Sequence, residues 1–386
     1  MRLSALLIAF FILTVSMLGC NWFKPCDSEP LLNATDFGVS VTNSGEENSR
    51  NLQSLIDRLS ETGGKISIPS GIYEFSENGS QAIGSHCIKM RSNVSITGDG
   101  ENTVLKPVGD SEWGLDMFYF NDYLDLGEAN YLENCSFDSF VIDGSDSSCR
   151  TYTSAGKGFM FNLFRNCHWQ FVTVKYTDAT GFGVDCPIDS SIKNCIAIGC
   201  GKAATDESSG ASGFGIGYGY SNDEGILISD CTSYGNKKFG FFFEHQGRFN
   251  DTMYSAECDG CFTVNCCYAY DNLYNFGGIC AEAVEYSLCI SENAVRYGFY
   301  FENSASVSVK ECEINNCISG VVVNNPDEKW SSGEITVSHC VFRSLGEYDV
   351  YTEGSVDSLV LTDNSSELNV IRANGNRLVN ENNSWN

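Results

Sequence analysis

Two stretches decide the fold: Phe239-Gly240-Phe241-Phe242-Phe243-Glu244 and Tyr297-Gly298-Phe299-Tyr300-Phe301-Glu302. Each reads aromatic, glycine, then apolar-x-apolar, and looser copies centre on Gly183, Gly215, Gly277 and Gly320. Between the copies, β-prone runs end in a polar residue and a cysteine: Asn134-Cys135, Asn166-Cys167, Asn194-Cys195, Asp230-Cys231, Asn265-Cys266, Glu311-Cys312 and His339-Cys340. Leu288-Cys289 is a degenerate copy. Gly277, Gly298 and Gly320 lie 21 and 22 residues apart. Self-similarity at such a period marks a solenoid, whose single coils cannot bury their apolar faces alone. The units are short, β-branched or aromatic, and punctuated by Gly, Asn and Asp, so the coils are strands. The reading is all-β, a parallel β-helix running over residues 76–353, with degenerate last coils and a tail at 354–386.

Composition agrees with one long solenoid. The 386 residues include 38 glycines and 6 prolines, suited to many tight turns and few helices. The net charge of −27 argues against nucleic acid as a partner, because phosphates would be repelled. Bound Ca²⁺ is the cofactor such an acidic surface allows, although no Asp-x-Asp-x-Asp-Gly loop is present.

Arg2, the apolar run Leu3 to Gly19 and then Cys20 form a signal-peptide pattern, short for a membrane span. Met17-Leu18-Gly19-Cys20 resembles a prokaryotic lipobox, which implies lipidation of Cys20, export and membrane attachment through the lipid alone. Residues 21–32 read as a tether.

The chain holds 19 cysteines. Export permits disulfides. Cysteine recurring at one position of a coil instead predicts an inward column of small apolar side chains. Cys135, Cys167, Cys195, Cys231, Cys266, Cys289 and Cys312 are assigned to that column as thiols. Cys258 with Cys261, and Cys26, Cys87 or Cys149, stand off it as pairing candidates.

Residues 33–75 have a different character. Asp36-Phe37-Gly38 is followed by Leu52, Leu55, Ile56 and Leu59 at helical spacing within Ser49 to Glu61. Gly63-Gly64 stops that helix, and Lys65 to Tyr73 alternates as a strand with a turn at Pro69-Ser70-Gly71. A helix here would cover the open end of a β-helix, where bare strand edges invite association. The order of these signals resembles the N-terminal cap of the pectate-lyase-like superfamily. That resemblance implies a right-handed parallel β-helix and a polysaccharide as partner.

Alignment on the glycines, with a period of two, assigns faces. Val184, Ile216, Phe241, Gly278, Phe299 and Val321 are expected to point inward. So are Cys186, Tyr218, Phe243, Cys280, Phe301 and Val323. Asp185, Glu244 and Glu302 are expected on one outer face beside Phe242 and Tyr300, where aromatic plates suit the C–H faces of sugars. Glu244-His245-Gln246-Gly247-Arg248 gathers a carboxylate, an imidazole and a guanidinium, the groups needed for acid, base and charge stabilisation. Adjacent coils lie about 4.8 Å apart, which puts the Glu244 and Glu302 backbones roughly 9.6 Å apart. Gly213-Phe214-Gly215-Ile216-Gly217-Tyr218-Gly219 would leave a bare floor on which a ligand chain could approach the backbone. Residues 201–212 and 245–258 read as protruding loops of the kind that carry binding residues.

Thr180-Gly181-Phe182-Gly183-Val184-Asp185-Cys186-Pro187 resembles the site of alginate C5-epimerases, which carry Tyr-Gly-Phe-Asp-Pro-His there. The Asp falls on Asp185. Phe182 stands in place of the Tyr and Pro187 in place of the His. The Gly-His-Gly of polygalacturonases and the Arg-x-Pro-x-x-Arg of pectate lyases are absent.

The sequence thus predicts an exported, lipid-anchored surface protein acting on a polysaccharide as lyase, epimerase or glycoside hydrolase. Asp185, Glu244, His245 and Arg248 are the candidate catalytic groups. Tyr218, Phe242, Tyr300 and Glu302 are the candidate substrate contacts. The same residues also fit a non-catalytic β-helix that binds glycan or serves as an adhesive or structural surface.

Overall fold

The computed structural model describes residues 31–121, 130–205, 211–249, 261–325, 333–354, 356–373 and 375–385. Cys20 and the apolar N-terminal run lie outside these residues, as do Cys26 and Cys258. The chain is a right-handed parallel β-helix. Each turn lays one strand on each of three walls. The Phe182–Ile188, Ser190–Lys193 and Ile196–Ile198 strands of one turn pair in parallel with Ser212–Tyr218, Ile226–Ser229 and Thr232–Tyr234 of the next. Among the described residues the one antiparallel pair is the hairpin Gly79–Gln81 with Gly84–Lys89.

The repeated dipeptide has a mechanical meaning. Asn134, Asn166, Asn194, Asp230, Glu311 and His339 all adopt positive φ near 50–57° and turn the corner between two walls. Asn and Asp tolerate that left-handed conformation best. The residue that follows points inward: at the corner into the third wall this makes the column Cys195, Cys231, Cys267, Cys289, Cys312 and Cys340, while Cys135 and Cys167 stack on each other at the corner into the second wall, and all are buried. Three assignments are corrected here: Cys135 and Cys167 stand one wall earlier than the later cysteines, opposite Ser190 rather than Cys195, and Cys266 does not point inward. Cys266 occupies the corner itself, at φ 52°, and is exposed, so Cys267 takes the inward place. Each thiol lies over a carbonyl two residues back, Cys231 at 3.2 Å from the Ser229 oxygen and Cys267 at 3.3 Å from that of Asn265. No disulfide joins any two of the described cysteines, Cys87 and Cys149 included.

A second column is aromatic. Phe118, Phe159, Phe182, Phe214, Phe241, Phe276 and Phe299 stack rung on rung, their centroids 4.6–5.4 Å apart and their planes within 17° of parallel. In-register rungs favour this ladder because identical side chains repeat at the strand spacing.

The helix Gly45–Leu59 packs Leu52, Leu55, Ile56 and Leu59 over the N-terminal end. It begins earlier than the apolar spacing suggested, because Ser44 caps it by accepting from the Glu47 amide at 3.3 Å. Gly63, at φ 73°, closes the other end by donating to the Leu59 carbonyl at 2.7 Å.

Candidate functional site

The first wall carries the site, and its register differs from the glycine alignment. Phe182 pairs with Phe214, and Phe214 with Phe241, so Gly183 and Gly215 stand opposite Phe242 rather than Gly240. Gly277 is likewise opposite Phe242. The alignment was two residues out in these coils. Two residues is one full side-chain period, so Asp185, Phe242, Glu244, Tyr300 and Glu302 kept the face assigned to them, whereas Pro187 and Ala281, past the ends of their strands' alternation, are buried. The outward columns become Tyr119, Met160, Gly183, Gly215, Phe242, Gly277 and Tyr300, and beside it Asn162, Asp185, Gly217, Glu244, Ile279 and Glu302.

A cleft with about 170 Å³ of free volume opens where glycines interrupt these columns. Gly183, Gly215 and Gly217 form its floor, Asp185 and Glu244 face it, and Phe242 closes one side. Asp185 is fixed by three donors. The Gly217 amide reaches its Oδ1 at 2.7 Å, and Gln246 Nε2 reaches Oδ2 at 3.0 Å. Asn162, with its amide nitrogen assigned toward the carboxylate, reaches Oδ2 at 3.0 Å as well. Lys157 lines the same cleft, and its stem lies across Gly183, where a Cβ would stand 2.5 Å from it. The turn carrying Lys157 is held by buried Asp116, whose Oδ1 accepts from the Gly156 amide at 2.9 Å and the Lys157 amide at 2.7 Å.

The electrostatics follow from this crowding. Burial pushes the Asp185 carboxyl up, while Lys157, the Gly217 amide and Gln246 pull it back. Glu244 is pushed up to about 7, first by burial and then by the charge of Asp185, against the pull of Lys238 and Lys157. With a value of about 7, Glu244 still carries its proton in part at neutral pH, beside Asp185.

The remaining predicted residues sort by face. Phe242, Tyr300 and Glu302 are outward, as expected. Tyr300 donates to Glu302 at 2.8 Å and stacks on Tyr274 at 4.6 Å, one Ile279 rung beyond the cleft. His245 and Tyr218 are corrections as site contacts. Both are 0% exposed and point into the core, their rings 5.2 Å apart edge to face. One residue from Glu244 on a strand is the opposite face. Arg248 lies in the one-turn helix Gln246–Phe249, and its side chain is outside the described residues. Phe182 belongs to the aromatic ladder, and Pro187 is buried, so neither position of the epimerase-like motif beside Asp185 faces the cleft.

Lys157, Asn162, Gln246 and Asp116 are the site residues that the sequence reading missed. They sit outside the repeated phrase, on a loop, a corner or a preceding rung. A lone cation between glycines, Gly156-Lys157-Gly158, was the available signal. Among the described residues no group of three or more His, Cys, Asp or Glu is placed to hold a metal, and no helix is long and apolar enough to cross a membrane.

No protein-family model matches the chain, and no curated protein matches its sequence. Solved structures match its fold. The A-module of the Azotobacter vinelandii mannuronan C-5 epimerase AlgE6 superposes with a TM-score of 0.65 at 16% identity, over 92% of this chain and 99% of that one. The tailspike protein of E. coli bacteriophage HK620, in complex with a pentasaccharide, gives 0.62 at 14% identity, over 92% and 66%. PfbA, a surface adhesin of Streptococcus pneumoniae, gives 0.58 at 13% identity, over 92% and 91%.

Proposed function

We propose that this protein binds a polysaccharide along its first wall and hydrolyses it in the Asp185–Glu244 cleft. The observation that carries the reading is the pair itself. The two carboxyls share one outward column with only Gly217 between them, so their backbones are about 9.6 Å apart. That backbone spacing lies at the upper limit of the carboxyl separation of an inverting glycosidase, which needs room for a water between its acid and its base, and well beyond that of a retaining one. Glu244, held near 7, is the proton donor to the glycosidic oxygen. Asp185, oriented by three donors, takes a proton from water as the water oxygen bonds to the anomeric carbon and the glycosidic bond breaks. Phe242 offers an aromatic plate to the ring on one side. The pentasaccharide held by the tailspike neighbour, and the polysaccharide named for the epimerase neighbour, support a glycan as ligand.

Lys157 favours a second reading, in which it neutralises a uronate carboxylate and the pair drives elimination or epimerisation. A degradation screen on the protein lacking residues 1–20 separates these outcomes. Hydrolysis gives reducing ends without absorbance near 235 nm; elimination gives both; epimerisation gives neither and is read as a changed uronate composition by proton NMR of the recovered polymer. Binding with no product would favour an adhesive role; PfbA is named as a surface adhesin. Export and attachment through Cys20 complete the proposal, and loss of membrane fractionation in Cys20→Ala tests them.

A further inference from the structure

A second cavity, of about 470 Å³, adjoins the cleft on its N-terminal side. The two share Ser154 and Lys157, so they form one groove along the helix axis. The character changes at that junction. Where the cleft is lined by carboxylates and bare glycine, the exposed surface of this cavity is mainly apolar, from Ala82, Ile83, Ala155, Tyr119 and Met160, with Asp116, Lys157 and the amides of Gln81, Asn121 and Asn162 at its border. Its floor is the same outward column continued upstream, Tyr119 and Met160 preceding Gly183. Its walls are built rather than incidental. The hairpin Gly79–Lys89 rises on one side, and Thr153 Oγ1 straps it to the opposite loop through the Ile83 carbonyl at 3.1 Å and the Trp113 carbonyl at 2.9 Å. The His86 ring lies 4.6 Å from Tyr119 and within 8° of parallel, which fixes the Tyr119 plane. Burial and then Lys89 hold His86 down to about 4, so that backing ring is uncharged.

Resting on the reading of the cleft as a glycan site, we infer that this cavity is a specificity subsite for an uncharged sugar bearing a methyl group, a 6-deoxy or N-acetyl sugar, in the residue next to the one over Gly183. The ring stacks on Tyr119, and the methyl enters the apolar space between Ile83, Ala155 and Met160, where a hydroxyl would lose its hydrogen bonds to water.

The test is a printed glycan array carrying matched methyl-bearing and fully hydroxylated sugars, probed with wild type, Tyr119→Ala, Met160→Gln and Glu244→Gln. Wild type should retain the methyl-bearing glycans in preference. Tyr119→Ala and Met160→Gln should each weaken that retention about tenfold, with Met160→Gln, at an outward, half-buried position, keeping the wild-type melting temperature. Retention by both variants equal to wild type, no preference for methyl-bearing sugars, or no glycan retained at all overturns the subsite. Glu244→Gln separates the two readings. If it abolishes turnover while Tyr119→Ala leaves binding unchanged, the cleft stands and the subsite falls. If wild type turns over nothing yet Tyr119→Ala loses the preference, the catalytic reading falls and the subsite stands.

Discussion

Asp185 and Glu244 stand in one outward column with a single glycine, Gly217, on the rung between them, and the Gly217 amide donates to Asp185 Oδ1 at 2.7 Å. The missing side chain makes the cleft, and the exposed amide orients one of its acids. On the other side of Glu244 the same column has Ile279, which separates it from Glu302. Side-chain volume on the intervening rung therefore decides which carboxyls share a cavity.

Gly217→Ala tests that directly. The added Cβ would stand 2.2 Å from Gln246 Nε2 and 2.6 Å from Asp185 Oδ1. Gln246 is the far end of a flexible side chain, and Gly217 is not in the left-handed region, so the fold should survive. The expected outcome is a melting temperature within a few degrees of wild type, with glycan turnover reduced at least ~100-fold through displacement of the base. Unchanged turnover would place the chemistry elsewhere on the wall.

Glu244 gives a pH signature. Its folded value of about 7 lies above its ordinary 4.5. Between these values the folded chain still holds a proton that the unfolded chain has released, so this group's contribution disfavours folding progressively as pH rises through that window. Glu244→Gln removes the effect. Its melting temperature, relative to wild type, should therefore be higher at pH 8 than at pH 5, read by calorimetry in matched buffers. Wild-type turnover should fall as pH rises through about 7, as the donor loses its proton, and Glu244→Gln should abolish it.

The cysteine column predicts a sharp contrast between neighbours in sequence. Cys266 is exposed, whereas Cys267 is 1% exposed and burial pushes its thiol well up. Under native conditions a thiol reagent should modify Cys261 and Cys266 within minutes and leave the column unmodified, as peptide mapping would read. Cys266→Ser should be neutral, while Cys267→Ser should cost about 1–3 kcal/mol by placing a hydroxyl in an apolar column.

The fold was legible because its determinants are local and repeated. A left-handed corner residue followed by a small inward one, as at Asn194-Cys195, recurs often enough to be read as a period. The facing of Asp185 and Glu244 was legible for the same reason, since a two-residue slip in register leaves faces unchanged. What was not legible depends on contacts between rungs. Nothing in Asn265-Cys266-Cys267 says which cysteine turns the corner. His245 looked catalytic because it follows Glu244, yet strand alternation turns it into the core, where its ring fills the space beside Gly219, at φ 106°. Lys157, Asn162 and Gln246 meet Asp185 only once three separate turns are stacked.

Lys157 supplies the last test, because its charge and its placement can be separated. The ammonium pulls both Asp185 and Glu244 downward, while Asp116 holds the turn that carries it. Lys157→Met removes the charge and keeps the stem over Gly183. The high-pH limb of turnover should then move to higher pH, since Glu244 loses an opposing pull and keeps its proton longer. Lys157→Arg should leave the limb in place. Asp116→Ala acts on the placement: without the Oδ1 acceptor for the Gly156 and Lys157 amides the loop is less firmly held, so KM should rise while the limb shifts less than in Lys157→Met. If the substrate is a uronate that Lys157 neutralises, Lys157→Met will also raise KM at least ~10-fold, and a neutral glycan will show no such rise. A limb that stays put in Lys157→Met would remove the ammonium from the electrostatics of the pair and leave it a role in shape only.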